Sequence, residues 1–181
     1  MTATDAQTRG TYTYLFSDIE LSTQLESDVG RERYAAVRER HRAILRDVWA
    51  AHDGREQVTE GDSFFVVFAE APAAVEAAVD GQRRLAAEPW PDDAAIRVRM
   101  GVHVGRGELD ADGSYVGHDV HRAARIEAAA HGGQVLLSEA ASDLVERPAG
   151  SVPATASRAA SERSTWPPCA AASIRAARCT S

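Results

Sequence analysis

The stretch from Thr11 to Thr23 decides the fold and reads TYTYLFSDIELST. Its first eight residues are rich in aromatic and β-branched side chains, which predicts a strand that ends at Asp18. After Asp18 the chain enters a helix through Ser22 and Thr23. The start of such a helix presents backbone N–H groups, and these favour the binding of a polyphosphate.

Further along the chain, apolar side chains recur at helical spacing and predict one long amphipathic helix that ends near residue 51. The side chains of this stripe are Tyr34, Val37, His41, Ile44, Leu45 and Val48. Two short apolar runs, over 56–59 and 63–68, flank Glu60-Gly61-Asp62 and predict a hairpin. The patterns then predict a helix over 72–87, a strand over 96–104, a Gly- and Asp-rich loop to residue 113, a helix over 118–130 and a strand over 134–138.

This order of elements predicts an α+β fold of ferredoxin-like (split βαβ) type, an antiparallel sheet with helices on one face. The domain is expected over residues 11–146, after a flexible N-terminus over 1–10. Residues 147–181 are rich in Pro, Ala, Ser and Arg and lack apolar periodicity. Such a segment buries too little apolar surface to offset its ordering entropy, which predicts a disordered tail. A basic interaction tail is the functional alternative.

Length, composition and charge argue against some classes of function. The 181 residues suffice for one domain, and the 20 basic residues, all arginine, face 27 acidic ones for a net charge of −7. An acidic chain argues against a nucleic-acid partner. The sequence has no apolar run of membrane-spanning length and no signal-peptide core, and its two cysteines lie in the tail. We therefore expect a soluble cytoplasmic protein without a membrane partner.

Two aspartates stand out as candidate metal ligands. If the hairpin pairs beside the first strand, Asp18 and Asp62 reach the same end of the sheet. Carboxylates at close range repel each other unless a cation joins them, and Mg²⁺ prefers such a site completed by substrate phosphates. The simpler alternatives are a helix N-cap for Asp18 and a turn former for Asp62.

Four motifs in order carry a resemblance to a known family: FSDIELST over 16–23, VTEGDSFF over 58–65, RVRMGVH over 97–103 and YVGHDVHRAAR over 115–125. Together they resemble the class III nucleotidyl cyclases, the adenylate/guanylate cyclase catalytic domains, especially bacterial ones. The resemblance runs from about residue 11 to 145 and implies the class III cyclase fold. It also implies a head-to-tail dimer, with metals on one subunit and base recognition on the other.

The resemblance further implies an activity, the conversion of ATP or GTP to 3′,5′-cyclic nucleotide and pyrophosphate with two Mg²⁺ or Mn²⁺ ions per site. By position, Asp18, Asp62 and the Ile19 carbonyl match the metal ligands. Arg99 matches the arginine that contacts the terminal phosphates, and Arg125 matches the arginine that stabilises transition-state charge.

The chain departs from the family at several substrate-binding positions. The base-selecting lysine falls at Val58, and its aspartate partner falls at Ser114. The transition-state asparagine falls at His121, which is either a replacement hydrogen-bond donor or a partly exposed helix histidine without a functional role. The glycine that lets the triphosphate approach the backbone falls at Leu21. The family's terminal strands should follow Leu144, where the tail stands.

These departures fall mainly on the purine-binding half, whereas the metal and phosphate half is kept apart from Leu21. Three hypotheses follow. The chain is a homodimeric cyclase with weak or relaxed base selection, or a half-site subunit that needs a complementary cyclase partner. Alternatively, it is a pseudo-cyclase that binds nucleotide or acts as a regulatory dimerisation module.

Overall fold

The computed structural model describes residues 9–91, 94 and 96–145, together with the backbone of Ser173–Ala176. Seven strands lie in these residues: β1 (Arg9–Ile19), β2 (Arg55–Glu60), β3 (Ser63–Phe68), β4 (Val98–Leu109), β5 (Tyr115–Val116), β6 (Gln134–Leu137) and β7 (Ser173–Ala176). The helices are α1 (Ser22–Val29), α2 (Arg31–Ala51), α3 (Ala71–Ala87), α4 (His118–Ala128) and α5 (Glu139–Leu144).

The strands form one sheet in the order β2-β3-β1-β4-β6-β7, with β5 paired to β4. β1 is antiparallel to both β3 and β4, and β3 is antiparallel to β2. This arrangement of the first four strands is the predicted split βαβ of an α+β fold, which is confirmed. β6, however, is parallel to β4. The sheet is therefore mixed, because α4 carries the chain back over the sheet between these strands.

Helices cover both faces of the sheet. On one face, Leu15 and Met100 belong to a core shared with α2 and α3. The predicted placement on one face does not hold for α4, which packs on the other. There, a Cβ atom added to Gly101 would lie 2.3 Å from the backbone nitrogen of Glu127. Because Gly101 has no side chain, the α4 backbone can lie directly against β4.

The predicted amphipathic helix is confirmed as α2, which a break in the helical backbone separates from α1. All six side chains of its apolar stripe are buried, as predicted. The break comes at Gly30, whose φ of 87° and ψ of 153° cannot continue a helix. Most L-residues avoid this backbone region, whereas glycine enters it without steric cost.

Other differences arise from pairing between distant residues. β4 runs to Leu109, beyond the predicted loop start, because it stays paired with β1 as far as Glu108. β5 and α5 were not predicted. β1 begins at Arg9, inside the predicted flexible N-terminus, and Ser173–Ala176 of the predicted disordered tail forms β7, parallel to β6. The other residues of both predicted segments, except Gly10, lie outside the described part of the chain.

The sequence contains no apolar run of membrane-spanning length. Among the helices of the described residues, none is long and apolar enough to cross a bilayer.

Candidate active site

The candidate site lies where the C-terminal end of β1 meets the β2–β3 turn. Asp18 is directly opposite Arg99 in the β1–β4 ladder. Ser17, one residue earlier, is opposite Phe64 in the β1–β3 ladder. The turn that carries Asp62 therefore lies beside the end of β1, at the sheet end where the sequence placed both carboxylates.

Both oxygens of Asp18 accept a hydrogen bond. The Ser63 hydroxyl donates to Oδ1 at 2.7 Å, and Nη2 of Arg99 donates to Oδ2 at 2.6 Å. The hydrogen bond with Asp18 is the main cause that raises the pKa of Arg99. The guanidinium thus supplies the positive charge beside Asp18 in this structure.

The carboxylate of Asp62 differs from that of Asp18 in its hydrogen bonding. Burial raises the pKa of Asp62, and the negative charge of Asp18 raises it further, while hydrogen bonding with Ser22 lowers it. The two carboxylates are therefore within electrostatic reach of each other. Oδ2 of Asp62 is buried and has no hydrogen-bond partner among the residues that the structure describes. A buried carboxylate oxygen without a partner is costly, and a cation would remove that cost.

Arg42 of α2 holds the turn that carries Asp62. Its guanidinium donates twice to the carbonyl of Gly61, from Nη2 and from Nε, the latter at 3.1 Å. Gly61 has a φ of 59°, in the left-handed region that favours glycine. The sequence did not point to Arg42, because nothing local links it to a turn nineteen residues away.

Glu127 is the second residue that the sequence missed. Its Oε1 lies 2.7 Å from Nε of Arg99 in an ion pair, with the Glu127 side chain 12% exposed. Burial raises the pKa of Glu127 to about 7, because desolvation outweighs the attraction of Arg99 and the charge of Asp18 adds to the rise. A carboxylate on the buried face of an otherwise apolar helix stripe was the available signal.

The residues around the start of α1 lie next to the carboxylates. Leu21 precedes the helix with a φ of 57° and a ψ of 33°, the left-handed conformation, and its side chain makes no capping hydrogen bond. It is 74% exposed. This backbone suits the glycine that the family carries here. Ser22 is half-buried towards Asp62, and Thr23 is exposed.

The predicted base-recognition residues lie apart from this cluster. Val58 is 49% exposed on β2, and Ser114 is in the β4–β5 loop, where its N–H donates to Asp110. His121 and Arg125 are exposed on α4. In the part of the chain that the structure describes, no hydrogen bond or ion pair joins these four residues to Asp18 or Asp62. His103 is buried and forms a hydrogen bond with Ser138.

The candidate metal ligands at this site are Asp18, Asp62 and the backbone carbonyl of Ile19. The described residues contain no group of three or more His, Cys, Asp or Glu side chains arranged to hold a metal ion. Two carboxylates and a backbone carbonyl nevertheless fit Mg²⁺ or Mn²⁺, since Mg²⁺ is commonly held by one or two carboxylates and completed by water and phosphates. The unpartnered Oδ2 of Asp62 is the observation that supports this fit.

Comparison with known proteins agrees with this geometry. Residues 4–156 match the family described as Adenylate and Guanylate cyclase catalytic domain. An uncharacterized protein of Mycobacterium tuberculosis is 38% identical over 149 residues, which cover 81% of this chain and 48% of that protein. An adenylate cyclase of Mycosarcoma maydis is 35% identical over 155 residues, covering 72% of this chain and 6% of the fungal one. The chain thus spans about half the length of the mycobacterial relative and a much smaller share of the fungal one.

Solved structures give the same fold. Adenylate cyclase from Trypanosoma brucei in its monomeric state superposes with a TM-score of 0.71 at 25% identity, over 75% of each chain. The guanylyl cyclase Cya2 superposes with a TM-score of 0.69 at 22% identity, over 77% of this chain and 80% of that one. On these matches, the chain belongs to the family of adenylate and guanylate cyclase catalytic domains.

Proposed function

We propose that this chain binds a purine nucleoside triphosphate, ATP or GTP, together with Mg²⁺ or Mn²⁺, and converts it to 3′,5′-cyclic nucleotide and pyrophosphate. The single observation that carries the proposal is the pair Asp18 and Asp62 at one sheet end, with Oδ2 of Asp62 buried and unpartnered. Two neighbouring negative charges repel each other, and a bound cation would stabilise both of them.

In this proposal, Asp18, Asp62 and the Ile19 carbonyl hold the metal. When bound, the divalent ions would lower the pKa of the nucleotide 3′-hydroxyl and neutralise phosphate charge. Arg99 lies on the same side of the site and offers a permanently charged fork to the terminal phosphates. The backbone at Leu21, Ser22 and Thr23 faces the triphosphate from the start of α1.

The transition-state arginine is proposed to act in a partner's site. Arg125 and His121 are exposed on α4. We therefore propose a dimer in which α4 of one subunit completes the metal site of the other, either a homodimer or a heterodimer with a complementary cyclase domain. A complementary subunit would supply the base-recognising lysine and aspartate that Val58 and Ser114 replace.

A second candidate function is a pseudo-cyclase that binds nucleotide and regulates without turnover. The observation that favours it is Val58, an apolar and 49% exposed side chain where base recognition needs a hydrogen-bonding group. Loss of groups built to hydrogen-bond a substrate reduces discrimination steeply.

The test combines metal binding with product formation. Purified protein is titrated with Mn²⁺ by electron paramagnetic resonance, and incubated with Mn²⁺ and ATP or GTP while cyclic nucleotide is measured by mass spectrometry. Asp62→Asn removes the buried carboxylate, and Asp53→Asn makes the same change at an exposed position as a matched control. We expect Asp62→Asn, and not the control, to abolish Mn²⁺ binding and product.

The remaining outcomes separate the hypotheses. Product that forms only after a complementary cyclase domain is added would indicate a half-site subunit. Binding of Mn²⁺ and nucleotide without product in any mixture would favour the pseudo-cyclase. Folded protein that binds neither would reject both proposals.

A further inference from the structure

We infer that Glu127 is a positioning residue for Arg99: it keeps the Nε end of the guanidinium in place so that the terminal Nη groups can leave Asp18 and bind the terminal phosphates. This inference rests on the proposed function. It adds a residue that none of the four family-like motifs contains.

The geometry shows one guanidinium shared between two carboxylates. Nη2 of Arg99 contacts Oδ2 of Asp18 at 2.6 Å, whereas Nε lies 2.7 Å from Oε1 of Glu127. The two carboxylates therefore contact neighbouring nitrogens, Nε and Nη2, of the same guanidinium. The Asp18 contact is a hydrogen bond, whereas among the described residues Nε of Arg99 and Oε1 of Glu127 form an ion pair without an aligned hydrogen bond. The attraction between these two charges does not require Nη2 to stay on Asp18.

Charge explains why such a hold is needed. A divalent cation held by Asp18 would compete with Nη2 for that carboxylate and would repel the guanidinium. The Arg99 side chain is long, flexible and 30% exposed. Without a second anchor, it would lose its contact at the site and sample solvent at the moment when a triphosphate needs it. Glu127 supplies that anchor from within the protein.

Glu127 itself is firmly placed. Its backbone lies against β4, where a Cβ added at Gly101 would come within 2.3 Å of its nitrogen and 2.6 Å of its Cα. Its side chain is 12% exposed. A carboxylate on so closely packed a backbone can direct a flexible arginine, since its own position varies little.

The test measures phosphate binding without a nucleoside base. Inorganic tripolyphosphate is titrated by calorimetry at saturating Mn²⁺ and pH 8.5, into wild-type protein and into Glu127→Gln, Arg99→Gln and the double variant. Glu76→Gln on the exposed side of α3 is the control for loss of one negative charge. Thermal unfolding of each variant and binding of Mn²⁺ alone are measured in parallel.

We expect Glu127→Gln to weaken tripolyphosphate binding about tenfold, a coupling within the usual range for contacting groups. In the Arg99→Gln background the same change should have no further effect, because the arginine that Glu127 positions is gone. Glu76→Gln should bind like the wild type. If Glu127→Gln does not fold, Glu127→Asp keeps the charge, withdraws it by one methylene group and should weaken binding in the same direction.

Three different results overturn the inference. Wild-type protein that binds Mn²⁺ and tripolyphosphate, with Glu127→Gln binding equally well, would overturn the inference alone. An equal loss in the presence and absence of Arg99 would do the same, since it would indicate a structural or general electrostatic role. Wild-type protein that binds neither Mn²⁺ nor tripolyphosphate would overturn the proposed function as well.

Discussion

Acidification should destabilise this protein through His41, a core histidine of α2. His41 is fully buried and packs against the ring of Phe64, with the ring centroids 5.8 Å apart. Within the described part of the chain, neither ring nitrogen of His41 has a hydrogen-bond partner. Burial lowers the pKa of His41 to about 4, the charge of Arg42 lowers it further, and the charge of Asp18 opposes the shift.

The direction of the pH effect on stability depends on which state, folded or unfolded, protonates His41 at the higher pH. In the unfolded chain, the histidine takes up a proton near its ordinary pKa of 6.5, whereas in the folded protein it does so only near 4. The unfolded state thus binds more protons between these values, so the free energy of unfolding falls as the pH drops through this window. From pH 7.5 to pH 5.0 the loss attributable to His41 is about 2 kcal/mol.

The assay compares urea unfolding of wild-type protein and His41→Leu at several pH values. Leucine fills the same apolar site without a titrating group, so the stability of the variant relative to wild type should rise by about 2 kcal/mol from pH 7.5 to 5.0. Subtraction removes the other titrations that both proteins share. These include Glu127, whose raised pKa acts in the opposite direction.

His131→Leu is the matched control, because the side chain of His131 is 81% exposed. The stability difference between this control and wild type should stay within about 0.5 kcal/mol over the same pH range. A stability difference for His41→Leu that does not change with pH would refute the reasoning, since it would show that the folded protein protonates His41 as readily as the unfolded chain does.

Three further predictions concern backbone and turn geometry. Leu21→Gly should stabilise the protein by about 0.5–1 kcal/mol in urea unfolding, because the relief of left-handed strain exceeds the entropic cost of glycine; a lower stability would contradict this. Gly101→Ala should cost about 1–3 kcal/mol by the same measurement, since its Cβ would meet the α4 backbone at Glu127; an unchanged midpoint would show that α4 can shift freely. Arg42→Ala should weaken Mn²⁺ binding by about fivefold, the equivalent of one lost net hydrogen bond to the turn that carries Asp62. Arg46→Ala is the control: it removes an exposed ion pair with Glu56 and should leave Mn²⁺ binding unchanged. Equal effects of the two arginine variants would show that general charge, and not the turn contact, is responsible.

Local patterns in the sequence determined much of the fold. The α2 stripe, the β2–β3 hairpin around Gly61 and the strand that ends at Asp18 were all predictable, because each depends on the periodicity or turn chemistry of a few neighbouring residues. The order of these elements was enough to predict the split βαβ arrangement. It also predicted that Asp18 and Asp62 would reach the same end of the sheet if the hairpin paired beside the first strand.

Pairing between distant residues was decided only in the tertiary structure. The sequence did not show that α4 packs on the second face of the sheet, because that depends on the space above Gly101. Nor did it show the shared guanidinium of Arg99, whose partners lie 81 residues before it and on a neighbouring helix. Contacts of this kind follow from the register of the β1–β4 ladder and the docking of α4, and no local pattern of residues encodes either one.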